Sequence, residues 1–179
     1  MLKKIMPPLV LTVICTLISA LLIVVYNATY VDTTGVITDS LKKGLEEIYD
    51  GSGEYTMLKN DDGSVLTYEG VTSVIVDDQK NVYFEIITDG YAKNGIHILV
   101  GVSDDGVTGV SFIELGETPG LGSKVKDDSN FIKQFIGVNS DEYEFTAITG
   151  ATFSSKGMKS AVKTALDTYK QHKEEIINE

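Results

Sequence analysis

The sequence predicts an α+β protein in which a C-terminal amphipathic helix packs on an antiparallel sheet, preceded by one N-terminal transmembrane helix. Three observations support this prediction. Residues 8–26 are almost uninterruptedly apolar, residues 55–113 form short β-rich runs between turn residues, and residues 155–176 carry an apolar helical stripe. We therefore expect a cytoplasmic start and transmembrane anchor over residues 1–30, a linker with a short helix over residues 31–53, and an extracytoplasmic domain over residues 54–179.

The apolar segment Pro8–Tyr26 has the length of one membrane-spanning helix and exceeds the usual core of a signal peptide. Lysines precede it at positions 3 and 4, and an acidic stretch opens after it at Asp32. This bias predicts a cytoplasmic N-terminus, a cell-membrane location and a domain on the extracytoplasmic face. We expect an anchor in contact with the lipid bilayer rather than a cleaved signal peptide, although residues 26–28 leave that alternative open.

The chain after the anchor predicts a short helix, a set of strands and a long final helix. Residues 38–50 place Leu41 and Leu45 at helical spacing, and Asp104-Asp105-Gly106 predicts a hairpin turn between two alternating strands. Further helices are expected at Ser129–Phe135 and Ser155–Ile176, and strands at Tyr55–Leu58, Val65–Tyr68, Val71–Val76, Val82–Thr88, Ile96–Ser103, Val107–Ile113 and Tyr143–Ile148.

The charge composition limits the possible partners. The 179 residues carry a net charge of −11, with 26 acidic residues against 15 basic ones, so a nucleic-acid partner is not expected. All basic residues are lysine, so a phosphate site cannot use the bidentate guanidinium of arginine. An anionic cofactor would need backbone amides, hydroxyls, lysines or a covalent bond. The one cysteine, Cys15, lies in the apolar segment, which leaves the domain without a disulfide.

The candidate site is the run from Thr149 to Ser155, directly before the final helix. The start of a helix presents N–H groups without intrahelical acceptors and the positive end of the helix dipole, so it suits a phosphate. The same run also fits a simple capping turn in which Ser154 and Ser155 are N-caps. We expect no catalytic residue and no metal site, and both histidines, His97 and His172, lie outside the run.

Two motifs carry a resemblance to a known family. Thr149-Gly150-Ala151-Thr152 resembles the flavinylation sequence of the FMN-binding domain family. Glu117-Thr118-Pro119-Gly120-Leu121-Gly122 looks like the loop that accompanies it in the G subunit of the Rnf complex, an ion-translocating ferredoxin:NAD oxidoreductase. Gly90-Tyr91 and Ser154-Ser155 also match that protein, and the resemblance covers about residues 80–170. The C subunit of the sodium-pumping NADH:quinone oxidoreductase is a near relative, typically longer before its flavin domain.

The resemblance implies that residues 54–179 form an FMN-binding domain, and that a flavin transferase moves FMN from FAD onto Thr152 as a phosphoester. The family usually has an acidic residue six positions earlier, where this chain has Thr146. Leu121 is expected against the isoalloxazine ring, while Tyr91 fits either stacking on the flavin or a core position. The expected cofactor-binding residues are Thr152, Thr149, Gly150, Ala151, Ser154, Ser155, Lys156, Glu117, Thr118, Pro119, Gly120, Leu121, Gly122 and Tyr91.

The resemblance further implies an electron-transfer subunit that works with other membrane and redox subunits of one complex. The chain has no G-x-G-x-x-G nucleotide motif and no cysteine cluster for iron–sulfur, which favours a relay over independent oxidation of NADH or ferredoxin. Two alternatives stay open: a stand-alone membrane-anchored extracytoplasmic flavoprotein reductase and, less favoured, a cofactor-free tethered binding module.

Overall fold

The computed structural model describes residues 2–29, 35–49, 53–140 and 143–178. The chain divides into two units, residues 1–33 and residues 34–179. The first unit contains helix α1, Leu2–Thr29, and its 22-residue segment Pro8–Thr29 is long and apolar enough to cross a membrane. The hydroxyls of Thr12 and Thr16 donate to carbonyl oxygens four residues earlier, at 2.9 and 2.8 Å, so these polar groups are satisfied within the helix itself.

The second unit is built on a five-stranded antiparallel sheet whose strands follow chain order. Each strand pairs with the strand that follows it in sequence, and the longest connection within the sheet, residues 58–72, joins the first strand to the second. The strands are β1 Tyr55–Met57, β2 Ser73–Asp77, β3 Val82–Thr88, β4 Ile96–Ser103 and β5 Gly106–Leu115. The helices are α2 Asp39–Ile48, α3 Lys124–Asp127, α4 Ser129–Lys133 and α5 Thr152–Asn178.

Both faces of the sheet are covered, because alternate residues of its central strands are apolar on each face. On one face Phe84 and Val100 share a buried cluster with Met158 of α5. On the other face Leu99 packs in a cluster with Leu45 of α2. Full burial of such side chains contributes about 1.5–3 kcal/mol each, so the two helices are held on the sheet mainly by apolar packing.

The expected α+β architecture is confirmed, with differences at several elements. The helices predicted at residues 38–50, 129–135 and 155–176 lie at Asp39–Ile48, Ser129–Lys133 and Thr152–Asn178. The strand predicted over Val65–Tyr68 is wrong, since this segment makes only isolated bridges, Lys59 with Val65 and Tyr68 with Val71. The next strand begins at Ser73 rather than Val71.

The strand predicted over Tyr143–Ile148 is also wrong. The described residues there have no strand pairing; instead, the Thr146 N–H donates to Oε1 of Gln134 at 2.8 Å. Phe145 packs edge-on against Phe131, with ring centroids 6.1 Å apart. The apolar alternation that suggested a strand therefore comes from packing against the α4 region, and a side chain satisfies the backbone that a ladder would otherwise pair.

Candidate functional site

Three segments that are distant in sequence meet at the start of α5 and enclose a pocket of about 260 Å³. The turn after β3 supplies one wall, the loop after β5 supplies a second, and the start of α5 with the turn before it supplies the third. The pocket is lined by Tyr91, Thr118, Leu121, Gly122, Gly150, Ala151, Thr152, Phe153 and Ser154.

The turn before α5 presents Thr152 at the pocket. Gly150 has a φ of 82°, a left-handed conformation that glycine adopts without strain, and the Ala151 N–H donates to the Ile148 carbonyl at 2.9 Å. Ser155 stabilises the turn from within the helix, because its Oγ accepts a hydrogen bond from the Ile148 N–H at 3.1 Å. Thr152 is exposed and is the first residue of the 27-residue helix, so its side chain lies beside the N–H groups of the first turn.

Glu117 joins the three segments from behind the pocket wall. Its side chain is buried, and one carboxylate oxygen, Oε1, accepts from the Ala92 N–H at 3.0 Å. The other oxygen, Oε2, accepts from the Tyr91 N–H at 3.2 Å and from the Ser154 hydroxyl at 2.5 Å. The carboxylate thus bridges the turn after β3, its own loop and the first turn of α5.

Glycines make room for this carboxylate. A Cβ at Gly90, Gly95 or Gly122 would overlap the Glu117 side chain, and these positions come from the segments around it. Glycine is therefore required at these three positions because any larger residue would collide with the buried Glu117 side chain. It also means that at Gly122, which lines the pocket, only a thin layer of atoms separates the pocket from the carboxylate.

The loop from Thr118 to Ser123 turns back on itself and presents Leu121. The N–H groups of Leu121 and Ser123 both donate to the Thr118 carbonyl, at 3.1 and 3.2 Å. The Gly120 N–H donates to the Ser123 hydroxyl at 2.9 Å, and Gly120 has a φ of 75°. Leu121 is 51% exposed, so the loop offers an apolar side chain to the pocket rather than burying it.

An exposed aromatic pair lies at the pocket. Tyr91 is 75% exposed and Phe153 is 66% exposed, with ring centroids 6.3 Å apart and planes at 65°. Phe153 was missing from the residues expected at the site. The sequence feature that could have identified Phe153 is a large apolar residue within a run of small and polar ones at the start of a helix. Its neighbours Ser154 and Ser155 are buried, whereas Phe153 is exposed.

Six of the expected site residues do not line the pocket. Ser155 and Glu117 are buried behind it, and the expectation that Ser154 and Ser155 are N-caps is wrong, because both lie inside α5 and bond to other segments. The remaining four are exposed and lie beside the lining residues in sequence: Thr149, Lys156, Pro119 and Gly120.

The described residues offer no acid–base machinery and no metal site at the pocket. His97 lies 2.8 Å from Oε1 of Glu85, between strands β4 and β3, and His172 stacks on Tyr68 with ring centroids 4.1 Å apart. No group of three or more histidine, cysteine or acidic residues suited to a metal ion occurs in the described part of the chain. The Thr152 hydroxyl therefore has no histidine partner to activate it as a nucleophile.

Glu85 is a buried acidic group whose pKa is set by its neighbours in the fold. Burial alone would raise its pKa, but hydrogen bonds from His97 and Ser73 and the charge of His97 outweigh burial and hold the pKa below its ordinary value. The Ser73 hydroxyl donates to Oε2 of Glu85 at 2.5 Å. These residues lie on the strands and outside the pocket lining, so they stabilise the sheet rather than the site.

Part of the chain is similar to known proteins. Residues 90–167 match the model of the FMN-binding domain family. The chain is 38% identical over 106 residues to the G subunit of the ion-translocating oxidoreductase complex of Aliivibrio fischeri. This alignment covers 51% of this chain and 50% of that protein. It is 38% identical over 96 residues to the G subunit of the Na(+)-translocating ferredoxin:NAD(+) oxidoreductase complex of Acetobacterium woodii, and this alignment covers 46% of this chain and 45% of that protein.

A third relative, the G subunit of the ion-translocating oxidoreductase complex of Shewanella oneidensis, is 34% identical over 108 residues, 52% of this chain and 50% of that protein. The chain thus spans about half the length of the curated relatives it matches. Together with the apolar helix α1, these relatives support a membrane-anchored protein. The region that matches the FMN-binding domain model, residues 90–167, contains all three segments of the pocket, and the chain is also similar to the G subunits of ion-translocating oxidoreductase complexes.

Proposed function

We propose that this chain carries FMN as a phosphoester on Thr152 and relays electrons as a subunit of a membrane ion-translocating ferredoxin:NAD oxidoreductase complex. The observation that most supports the proposal is the position of Thr152. This residue is exposed, it belongs to the first turn of a long helix, and it lines the pocket within the matched FMN-binding region.

The residues around Thr152 fit the phosphate end of FMN. The first N–H groups of α5 and the helix dipole favour a negative charge. Gly150 leaves space beside Thr152, because the nearest atom to a Cβ placed at Gly150 would be Cδ2 of Leu121, at 4.0 Å. Lys156 is exposed one turn into the helix and adds a mobile positive charge nearby. In a chain without arginine, a covalent bond holds an anionic cofactor that such contacts alone would hold weakly.

The other side of the pocket fits the ring end of the cofactor. Tyr91, Leu121 and Phe153 are large apolar side chains that remain more than half exposed, which is unusual for three residues at one site. A flat isoalloxazine ring placed among them would remove this apolar area from water. Bound FMN supplies the redox chemistry, while the protein supplies its position and electrostatic surroundings.

Attachment requires a separate enzyme. A threonine hydroxyl is a weak nucleophile, and none of the described residues acts as its base, so a flavin transferase must activate it. The balanced step forms a bond between Thr152 Oγ1 and the phosphorus of the FMN half of FAD. The pyrophosphate bond breaks, AMP leaves, and the hydroxyl proton passes to the transferase. The efficiency of this step should be measured, because Thr146 occupies a position where the family usually has an acidic residue.

The relay role rests on what the chain contains. It has one cysteine and no G-x-G-x-x-G motif, so neither an iron–sulfur cluster nor a nicotinamide site is encoded beside the flavin. Electrons would therefore enter and leave through other membrane and redox subunits. The lysines before the apolar segment Pro8–Tyr26 and the acidic residues after it favour a single-pass anchor in the cell membrane, with the domain on the extracytoplasmic face.

The proposal is tested by expressing the full chain with and without a flavin transferase and separating the denatured protein on a gel. We expect flavin fluorescence in the wild type and in Thr149→Ala only with the transferase, and none in Thr152→Ala. Affinity purification from the native host should recover polytopic membrane proteins with the chain. Recovery of a fluorescent chain that reduces a soluble acceptor by itself would instead indicate the stand-alone reductase, and an unmodified chain would indicate a cofactor-free module.

A further inference from the structure

The buried carboxylate of Glu117 has a consequence beyond packing. The three segments that its hydrogen bonds connect are the three that line the pocket: the turn at Tyr91, the loop at Gly122 and the helix start at Ser154. We propose that Glu117 is a positioning residue that fixes these segments around the flavin and places a negative charge beside it, making the flavin harder to reduce. This inference rests on the proposed function.

The carboxylate accepts hydrogen bonds on both oxygens. The two N–H groups and the hydroxyl that donate to it are neutral dipoles, and the ion pairs found among the described residues do not include Glu117. The Tyr91 and Ala92 N–H groups can only donate, so a protonated acid could direct its hydrogen only toward the Ser154 hydroxyl. The geometry thus fits the ionised form, stabilised by dipoles and not neutralised by a cation.

The charge lies within one hydrogen bond of the pocket wall. Ser154 lines the pocket and its hydroxyl donates to Oε2 at 2.5 Å, while Gly122 lines the pocket from the other side against the same side chain. Water does not screen the carboxylate there, since Glu117 is only 6% exposed. Adding electrons to a flavin in the pocket increases negative charge close to this carboxylate, so Coulomb repulsion disfavours the reduced state.

Glutamine is the informative replacement. It keeps the length and shape of the side chain but removes the charge and one acceptor, so a donor among Tyr91, Ala92 and Ser154 must face an amide NH₂ group. Glu117→Gln should therefore shift the midpoint potential of the bound flavin in the positive direction. Glu114→Gln is the matched control, because Glu114 lies three residues earlier, is exposed and does not line the pocket.

The experiment is a potentiometric titration of the full-length, FMN-loaded protein in detergent, followed by visible absorbance. We expect a positive shift for Glu117→Gln, no shift for Glu114→Gln, and a smaller shift for Ser154→Ala, which keeps the charge. Equal potentials for Glu117→Gln and Glu114→Gln would overturn the electrostatic part of the inference. A wild type that carries no flavin would overturn the proposed function itself and the electrostatic part with it.

The positioning part is tested without flavin and without a Glu117 variant. Amide hydrogen exchange is measured on the Thr152→Ala chain, which cannot be flavinylated under the proposal. The Tyr91 and Ala92 amides should exchange far more slowly than the exposed amides of the same turn, because the Glu117 carboxylate accepts from both. Exchange of these two amides at the rate of an open loop would overturn the positioning role, whatever the outcome for the flavin.

Discussion

The hydroxyl of Ser154 donates a 2.5 Å hydrogen bond to Oε2 of Glu117, a residue 37 positions earlier in the chain. Both groups are buried, so the bond is made in a medium where an unpaired partner is costly. Through it the loop after β5 is tied to the first turn of α5, the two segments that hold Leu121 and Thr152 at one pocket. The geometry of the site thus depends on a contact made beneath it.

Ser154→Ala removes the hydroxyl and leaves a buried carboxylate with one donor fewer. We expect the free energy of unfolding to fall by about 1–3 kcal/mol, since one hydrogen bond to a buried charged group is lost. Chemical denaturation followed by circular dichroism measures this change. Ser160→Ala, at an exposed position of the same helix, should change stability by no more than about 0.5 kcal/mol. Equal effects of the two substitutions would show that the Ser154 bond adds nothing to stability.

Gly157→Ala tests how closely α5 approaches the turn that precedes Tyr91. A Cβ at Gly157 would overlap the carbonyl oxygen of Asp89, which is backbone and cannot rotate away. Alanine is intrinsically better than glycine in a helix by about 1 kcal/mol, yet overpacking should reverse this and destabilise the domain by about 1–3 kcal/mol.

The control for this substitution is Gly116→Ala, where the nearest atom to an added Cβ is the Gly95 Cα at an ordinary 3.6 Å. Thermal melts of both variants give the comparison. A Gly157→Ala protein as stable as the wild type, or more so, would mean that α5 can move away from Asp89 at little cost.

Glu85 predicts a specific dependence of stability on pH. Because its pKa in the folded protein lies below the ordinary value of 4.5, its contribution is present above that value and is lost as the pH falls through the folded-state pKa. Denaturation at a series of pH values should show that the stability difference between wild type and Glu85→Gln shrinks as the solution becomes acidic. Glu114→Gln, at an exposed position, provides the baseline, and a difference constant with pH would contradict this account.

Phe153 should shield the bound flavin from small quenchers in solution. If Phe153 and Tyr91 cover the ring, Phe153→Ala should increase quenching of flavin fluorescence by iodide, because an exposed wall of the pocket is removed. Ile136→Ala removes another exposed apolar side chain, one that does not line the pocket, and should leave quenching unchanged. Identical quenching in both variants and the wild type would place the ring away from Phe153.

Periodicity predicted the parts of the fold that are governed by local pattern. The alternation from Ile96 to Ser103, the turn at Gly106 and the stripe of α5 all reappear in the structure. Tyr143–Ile148 has the same alternation but packs on aromatic side chains near α4. A pattern of period two reports burial of alternate side chains and does not specify whether a neighbouring strand or a helix buries them.

The site was predictable only where short motifs are informative. The Thr149–Thr152 run and the Glu117–Gly122 loop were assigned to one site by resemblance, and the structure brings members of both to one pocket. The buried role of Glu117 was not predictable, because its donors lie 25 to 37 residues away in sequence. An acidic residue in a Gly-rich loop is expected to be solvated unless the fold supplies such donors.

The central claim is that Thr152 carries the flavin, and peptide mass spectrometry of the full chain from a host with the transferase tests it most directly. The account predicts an added mass of FMN less one water on the peptide containing residues 149–155. Fragmentation should place that mass on Thr152, retain it in Thr149→Ala and lose it in Thr152→Ala. An unmodified Thr152 peptide in the wild type, or modification that persists in Thr152→Ala, would contradict the account.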